Sequence, residues 1–117
     1  MRISLLPETI RVDLAPVDAA LWGGLTAIVK TLDIEEFTEW VDAYPGEDRA
    51  RTAGRELVKN RLVTVEGADI EGEAYDPKNP RHFRSLFSLD RNGPAAITLI
   101  YATLIDRASL GDVAEKN

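Results

Sequence analysis

The residue types that perform most enzyme chemistry are scarce in this sequence of 117 residues. It contains one histidine, His82, and no cysteine, which excludes a disulfide, a thiol nucleophile and a thiolate metal site. A catalytic histidine needs a nucleophile and an orienting group placed around it, and the residues around His82 suggest neither. We therefore interpret His82 as a surface or helix-start residue.

Acidic residues recur at close spacing in one segment, which reads ADIEGEAYD. Asp69, Glu71, Glu73 and Asp76 have the oxygen ligands that a calcium loop uses. However, the glycine that such a loop needs at its sixth position comes at the fourth, Gly72, and no bidentate glutamate follows at the twelfth. The segment is therefore predicted to be a solvated turn between two strands, and we expect no metal site.

Patterns for binding phosphate or nucleic acid are also missing. Gly23-Gly24 is followed by LTAIVK rather than by the Gly-Lys-Ser/Thr of a phosphate loop. The net charge of −6 argues against a nucleic-acid partner, because phosphate contacts need clustered lysine and arginine. Glu35 and Glu39 are expected on a solvated helix face rather than as a catalytic pair. The residues thus predict neither an enzyme nor a bound cofactor.

Two segments near the N-terminus have the composition of β-strands. In 9–14, apolar residues alternate with charged ones, the pattern of a strand with one buried side. The segment 25–32 is rich in β-branched residues and is predicted to pair with 9–14 as an antiparallel hairpin. A helix over 17–31 is the alternative, and the sequence leaves it open. A further β-favouring run at 2–6 precedes Pro7.

A third strand candidate lies in the middle of the sequence. Leu62–Val65 reads LVTV and is expected to join the N-terminal hairpin. The segment that follows, 67–80, is rich in turn-forming residues and is a candidate hairpin arm.

Four segments carry apolar residues at helical spacing. They are 33–44, 47–60, 80–89 and 92–110. Asp33 and Glu36 form a capping box at the start of the first helix. The inner stripe of the second helix is predicted to comprise Ala50, Ala53, Gly54, Leu57 and Val58. Close packing of this small-residue stripe would offset the roughly 1 kcal/mol that a mid-helix glycine costs relative to alanine.

The last helix is expected to organise the core, because it combines start signals with the longest apolar face. Asn92 can cap its free amide groups, and Pro94 is tolerated in the first turn. Gly111 is expected to end the helix, which leaves 112–117 as a frayed tail. The predicted fold class is α+β: a single helix-rich domain, 1–117, with an N-terminal β-hairpin packed against about four helices.

The compartment is predicted from two missing signals. No window approaches the roughly 20 apolar residues that a membrane span needs. The N-terminus MRISLLPET is interrupted by Pro7 and Glu8 before the apolar region of a signal peptide can form. We therefore expect a soluble cytoplasmic protein with no membrane contact.

The order of these elements resembles that of the small tail assembly chaperones of long-tailed bacteriophages and prophages. Three stretches carry the resemblance. GLTAIVKTLDIEEFTEWV is a β-rich segment that runs into a capped acidic helix, and LVTVEGADIEGEAYDP is a short strand followed by an acidic turn. AAITLIYATLIDRASLGDVAEKN is an apolar terminal helix with a Ser-Leu step and a short tail.

The resemblance implies a non-enzymatic protein of the host bacterial cytoplasm. Members of this family hold the tape-measure protein, a long helical chain, in solution until tail-tube subunits polymerise around it. The expected partners are therefore the tape-measure protein and the tail-tube protein. The family has no catalytic residues to transfer to this sequence.

Partner contacts are expected at residues chosen for their exposure and chemistry. They are Trp22, Leu25, Glu39, Trp40, Glu71 and Tyr75. Trp22 is in a loop and is either tucked over the edge of the core or a partner anchor, whereas core packing is the default for Trp40. An exposed Trp22 or a bare flank of the last helix would favour self-association, so a homo-oligomer stays open.

Two other classes of function stay open at this point. One is a structural component of the virion, such as a head–tail connector or a minor tail protein. The other is a small enzyme whose site is assembled from carboxylates far apart in sequence.

Overall fold

The computed structural model describes residues 8–116 of the chain, and the side chains of 8–108. The elements in chain order are β1 (Thr9–Asp13), α1 (Ala19–Trp22), β2 (Thr26–Lys30), α2 (Ile34–Ala43), α3 (Arg49–Arg61), β3 (Leu62–Glu66), β4 (Asp69–Ile70), β5 (Glu73–Ala74), α4 (Pro80–Leu86) and α5 (Gly93–Lys116). A 3-10 turn, Leu89–Arg91, precedes α5. The predicted α+β class is confirmed. The run predicted at 2–6 lies outside the described residues.

The first three strands form an antiparallel sheet in the order β1-β2-β3. β1 and β2 pair from Thr9 opposite Lys30 to Asp13 opposite Thr26, so the predicted N-terminal hairpin is confirmed. β3 pairs with the other side of β2, with one register shift. This confirms the strand predicted at Leu62–Val65.

The connection between β1 and β2 contains a single helical turn, Ala19–Trp22. Asp18 caps it, because its side-chain oxygen accepts hydrogen bonds from two amide groups of the turn, at 2.9 and 3.3 Å. Gly24 then adopts a left-handed φ of +80°, which glycine adopts without strain. The alternative left open for 17–31 is thereby resolved in favour of a strand preceded by one turn of helix.

Helix α2 begins and ends as its sequence signals predict. The side chain of Asp33 accepts a hydrogen bond from the Glu36 amide at 2.7 Å, and the Glu36 side chain accepts one from the Asp33 amide at 3.2 Å. The capping box is therefore confirmed. The helix ends at Ala43, before Pro45 and Gly46.

Helix α3 packs against α5 through a stripe of small and aliphatic residues. The buried members are Ala53, Gly54, Leu57 and Val58. Ala50 was predicted to belong to this stripe but is exposed, because it lies in the first turn of α3, at the edge of an open groove.

The connection between α4 and α5 differs from the prediction. α4 ends at Leu86, three residues earlier than expected, and the chain then turns into Asn92, which has a left-handed φ of +59°. Asn92 thus lacks the extended backbone of a typical N-cap, although its carbonyl accepts a hydrogen bond from the Ala96 amide at 3.3 Å. α5 also continues past Gly111 to Lys116, since a helical glycine costs only about 1 kcal/mol.

The hydrophobic core lies between the inner face of the sheet and the helices. Its largest completely buried side chains are Trp22, Phe87, Leu14, Ile100, Leu104, Val29 and Val58. Two of these, Ile100 and Leu104, come from α5, in agreement with the organising role predicted for this helix. A second, smaller cluster under α2 contains Leu32, Leu57 and Ala108.

Candidate functional site

The hairpin arm formed by β4 and β5 is held to α4 by His82. His82 is 6% exposed and lies in the first turn of α4, so of the two predicted placements the helix start is confirmed and the surface is wrong. Its Nδ1 accepts a hydrogen bond from the Asp76 amide at 2.9 Å, and its Nε2 lies 3.6 Å from a carboxylate oxygen of Glu73. The imidazole therefore links the base of the arm to the helix, which accounts for its burial by packing and hydrogen bonding.

The acidic residues of the arm do not converge on a common point. Among the residues that the structure describes, no three His, Asp or Glu side chains are arranged to hold a metal ion. The solvated β-hairpin turn expected at this segment is present, with Asp69 opposite Ala74 and Ile70 opposite Glu73. The side chain of Asp69 accepts a hydrogen bond from the Gly72 amide at 2.7 Å and so closes the turn.

An open groove separates the start of α3 from the start of α5. We call it the α3–α5 groove. It has a volume of about 410 Å³ and is lined by Ala50, Arg51, Arg55, Pro94, Ile97, Thr98 and Tyr101. Its lining is mostly apolar, and the two arginines belong to α3. Such a concave, mostly apolar surface with a few polar groups is typical of a binding site.

Tyr101 lines the α3–α5 groove and joins it to a group of aromatic residues. Its ring centroid lies 5.4 Å from that of Trp40, which in turn lies 6.1 Å from that of Tyr44. Burial raises the pKa of the Tyr101 phenol above its usual value, and the nearby positive charge of Arg49 partly opposes this. Trp40 is half-buried and Tyr44 is 45% exposed, so aromatic surface continues from the groove towards α2.

The two arginines of the groove are held differently. Arg55 places its guanidinium 5.0 Å from the centre of the Phe83 ring and donates a hydrogen bond to the Phe87 carbonyl oxygen at 3.5 Å. A guanidinium nitrogen of Arg51 lies 3.5 Å from a carboxylate oxygen of Asp48, and both side chains of this pair are largely exposed. Arg55 is thus fixed in place by the protein, whereas Arg51 is free to exchange its partner.

Three of the six residues predicted to contact a partner are core residues, which corrects that prediction. Trp22 is completely buried and its Nε1 donates a hydrogen bond to the Arg91 carbonyl oxygen at 2.6 Å. Leu25 and Tyr75 are each 8% exposed. Of the two alternatives for Trp22, the structure shows the tucked one, and the argument for self-association through an exposed Trp22 is lost.

The other three predicted residues do reach the surface, on two separate elements. Glu39 is exposed and Trp40 half-buried on α2. Glu71 is exposed in the turn of the hairpin arm, where it has a left-handed φ of +53°. Of these three, Trp40 contacts Tyr101, which lines the α3–α5 groove.

Two residues of the groove, Ala50 and Pro94, belong to predicted helices, but the sequence does not mark them as a binding site. Arg51 and Arg55 lie on the helix predicted over 47–60. Their four-residue spacing, beside the small residues Ala50 and Gly54, was the available signal, because residues four apart lie on one side of a helix. What the sequence could not show is that α5 lies beside them and leaves a gap.

No protein-family model, no curated protein and no solved structure matches this sequence. Within the described part of the chain, every helix is too short or too polar to cross a membrane. What the fold and the groove define is therefore a class: a small α+β domain with an exposed groove between two helices, bordered by arginine and aromatic side chains.

Proposed function

We propose that this protein is a non-enzymatic adaptor that binds another polypeptide, acting as an assembly chaperone in phage tail morphogenesis. The observation that carries the proposal is the α3–α5 groove together with the aromatic surface of Trp40 and Tyr44 beside it. A chaperone of this kind works by contact alone, covering apolar surface of its partner until the partner is assembled.

The composition of this surface supports binding to a protein. Tryptophan, tyrosine and arginine are the residues enriched at protein–protein interfaces and at the positions that dominate their binding energy. Arg51, Arg55 and Tyr101 line the groove together with apolar residues, and Trp40 and Tyr44 continue the aromatic surface from Tyr101. A groove between two helices is also a common receptor for a third, amphipathic helix.

The resemblance to tail assembly chaperones supports the choice of partner. The tape-measure protein is a long helical chain, and before assembly its apolar stripes need to be covered to prevent aggregation. In this proposal the tape-measure protein is the main partner, and the tail-tube protein displaces the chaperone as the tube polymerises. The protein would then act in the cytoplasm of the host bacterium.

Co-expression with the tape-measure protein encoded in the same genome tests the proposal. We expect this protein to increase the soluble fraction of the tape-measure protein, and Ala50→Glu to reduce that effect by placing a charge in the groove. Ala20→Glu is the matched control, because Ala20 is an exposed helical alanine outside the groove. Unchanged solubility of the tape-measure protein in the presence of the unaltered chain would refute the proposal.

Mass spectrometry of purified phage particles separates this function from that of a structural virion component. An assembly chaperone leaves before the particle is complete, so its peptides should be missing from finished virions. Finding it there in fixed proportion to the tail proteins would favour a connector or minor tail protein instead.

A further inference from the structure

The α3–α5 groove has chemistry that selects among helical partners. We propose that it binds an amphipathic helix whose apolar stripe is flanked on one side by two carboxylates one helical turn apart. The inference rests on the proposed function only in that the protein binds another polypeptide, and it identifies the binding face and the charge of the segment bound.

The floor of the groove is suited to an apolar stripe. Ile97 and Tyr101 lie one turn apart on α5 and Ala50 lies across from them on α3. A row of side chains from a third helix can enter the gap between two helices, as in ordinary helix packing. The volume of about 410 Å³ accommodates the side chains on one face of such a helix while its backbone stays outside.

The spacing of the two arginines sets the spacing of the partner's charges. Arg51 and Arg55 are four residues apart on α3, so they lie on the same side of the helix, separated by about 6 Å along its axis. A partner helix lying along the groove places its own residues four apart at the same interval. Glutamate or aspartate at such a pair of positions would meet both guanidinium groups.

The existing contacts of the two arginines leave them able to bind a carboxylate. Arg55 is positioned by Phe83 and Phe87 yet remains exposed, so little side-chain entropy is lost when it pairs. Arg51 and Asp48 have side chains that are 82% and 60% exposed. Such an exposed pair is worth little, so a carboxylate of a partner can replace Asp48.

A second copy of this chain does not fit the groove equally well. Helix α2 is amphipathic and carries Glu35 and Glu39 on its exposed side. However, its apolar residues Phe37 and Trp40 already pack against the cluster of Leu57 and Ala108 in their own chain. These two residues are therefore engaged within their own chain, and the helix that we propose as the occupant belongs to a different polypeptide.

Designed peptides test the inference directly. An alanine-based helical peptide with a leucine stripe is prepared in three forms, with two glutamates, two glutamines or two lysines four residues apart beside the stripe. We expect the glutamate form to shift the methyl resonances of Ile97 and Ala50. Because each exposed ion pair contributes a modest free energy, its Kd should be about two- to thirtyfold lower than that of the glutamine form.

A charge reversal supplies the matched control. Arg51→Glu with Arg55→Glu should reverse the order of affinity, so that the lysine peptide binds most tightly. Arg81→Glu with Arg84→Glu changes the net charge by the same amount at exposed positions of α4 outside the groove, and should keep the original order. Circular dichroism checks the fold, and Arg51→Glu alone replaces the double variant should that variant fail to fold.

Several outcomes would overturn the inference. These are equal affinity for the three peptides, resonance shifts confined to other faces, or an equal effect of the control pair, which would indicate net charge alone. Self-association that Ala50→Glu abolishes would assign the groove to a second copy. Binding of the glutamate peptide without any effect on the tape-measure protein would refute the proposed function and leave this inference standing.

Discussion

Replacing Gly54 by alanine is expected to stabilise the protein, because the new methyl group has room beside Tyr101. A Cβ atom at this position would lie 3.4 Å from Cδ2 of the Tyr101 ring and 3.7 and 3.8 Å from two further ring carbons, which is van der Waals contact without overlap. Gly54 lies inside α3, where alanine is favoured over glycine by about 0.8–1.0 kcal/mol. We therefore expect the free energy of unfolding to increase by about 1 kcal/mol, and the Tm by about 4 °C.

Urea denaturation followed by circular dichroism measures this change. Gly54→Leu is the informative comparison, since a larger side chain cannot fit against the ring and should destabilise the protein by about 1–3 kcal/mol. A loss of stability in Gly54→Ala would mean that α3 and α5 approach more closely at Tyr101 than the structure shows. The α3–α5 groove, which Tyr101 lines, would then have a different shape.

Three further predictions concern residues that hold the fold together. Gly93→Ala should destabilise the protein by about 3 kcal/mol in the same urea assay, because a Cβ atom there would lie 2.0 Å from the Phe87 carbonyl oxygen; a neutral effect would mean that the turn before α5 is loosely held. Arg61→Ala should cost about 2–3 kcal/mol, because this guanidinium donates to two carbonyl oxygens where β2 ends and to Glu36. Glu36→Gln, which keeps the oxygen that accepts the helix-capping bond, should cost less, and equal losses would contradict this account. Burial raises the pKa of Tyr75 to about 12, so the unfolded chain loses the phenol proton near pH 10 while the folded chain keeps it. The free energy of unfolding should therefore fall by up to about 2.7 kcal/mol between pH 10 and pH 12, and Tyr75→Phe should remove this part of the pH dependence in urea titrations.

The strands and helix starts were predictable because their signals are local. Alternation over 9–14 fixes which side of β1 is buried, and the structure places Ile10 and Val12 there. The capping box of Asp33 and Glu36 satisfies backbone amides within one turn, so three residues of separation suffice to recognise it. Such features do not depend on what packs against them.

The burial of individual large side chains was not predictable in the same way. Trp22 and Trp40 have the same side chain, yet Trp22 is completely buried and Trp40 is half-buried. Trp22 is buried because Arg91, 69 residues away, supplies a carbonyl acceptor for its indole and a guanidinium 5.2 Å from its ring. A contact over that distance in sequence depends on the tertiary fold, which leaves no periodic pattern around Trp22.

The boundary between α4 and α5 was predicted incorrectly, because Asn92 can serve both as a helix cap and as a left-handed turn residue. Asn92 is a good helix cap by composition, but the short turn from Phe87 to Gly93 requires a left-handed residue, and asparagine tolerates that conformation better than most. The Gly93 amide donates to the Ser88 carbonyl oxygen at 2.8 Å and closes this turn. Asn92 therefore adopts the left-handed conformation that the turn requires and not the extended conformation of an N-cap.

The net charge of the protein differs in sign from the charged residues that line the α3–α5 groove. The net charge of −6 describes an acidic surface, and two of the residues expected to contact a partner, Glu39 and Glu71, are acidic. Net charge, however, is a sum over the whole surface, and exposed charges separated by more than about 8 Å are screened from one another at physiological ionic strength. The residues that line the α3–α5 groove include Arg51 and Arg55 and no carboxylate, although Asp48 lies 3.5 Å from Arg51. This local composition, and not the net charge, is the reason why the partner helix that we propose carries acidic residues.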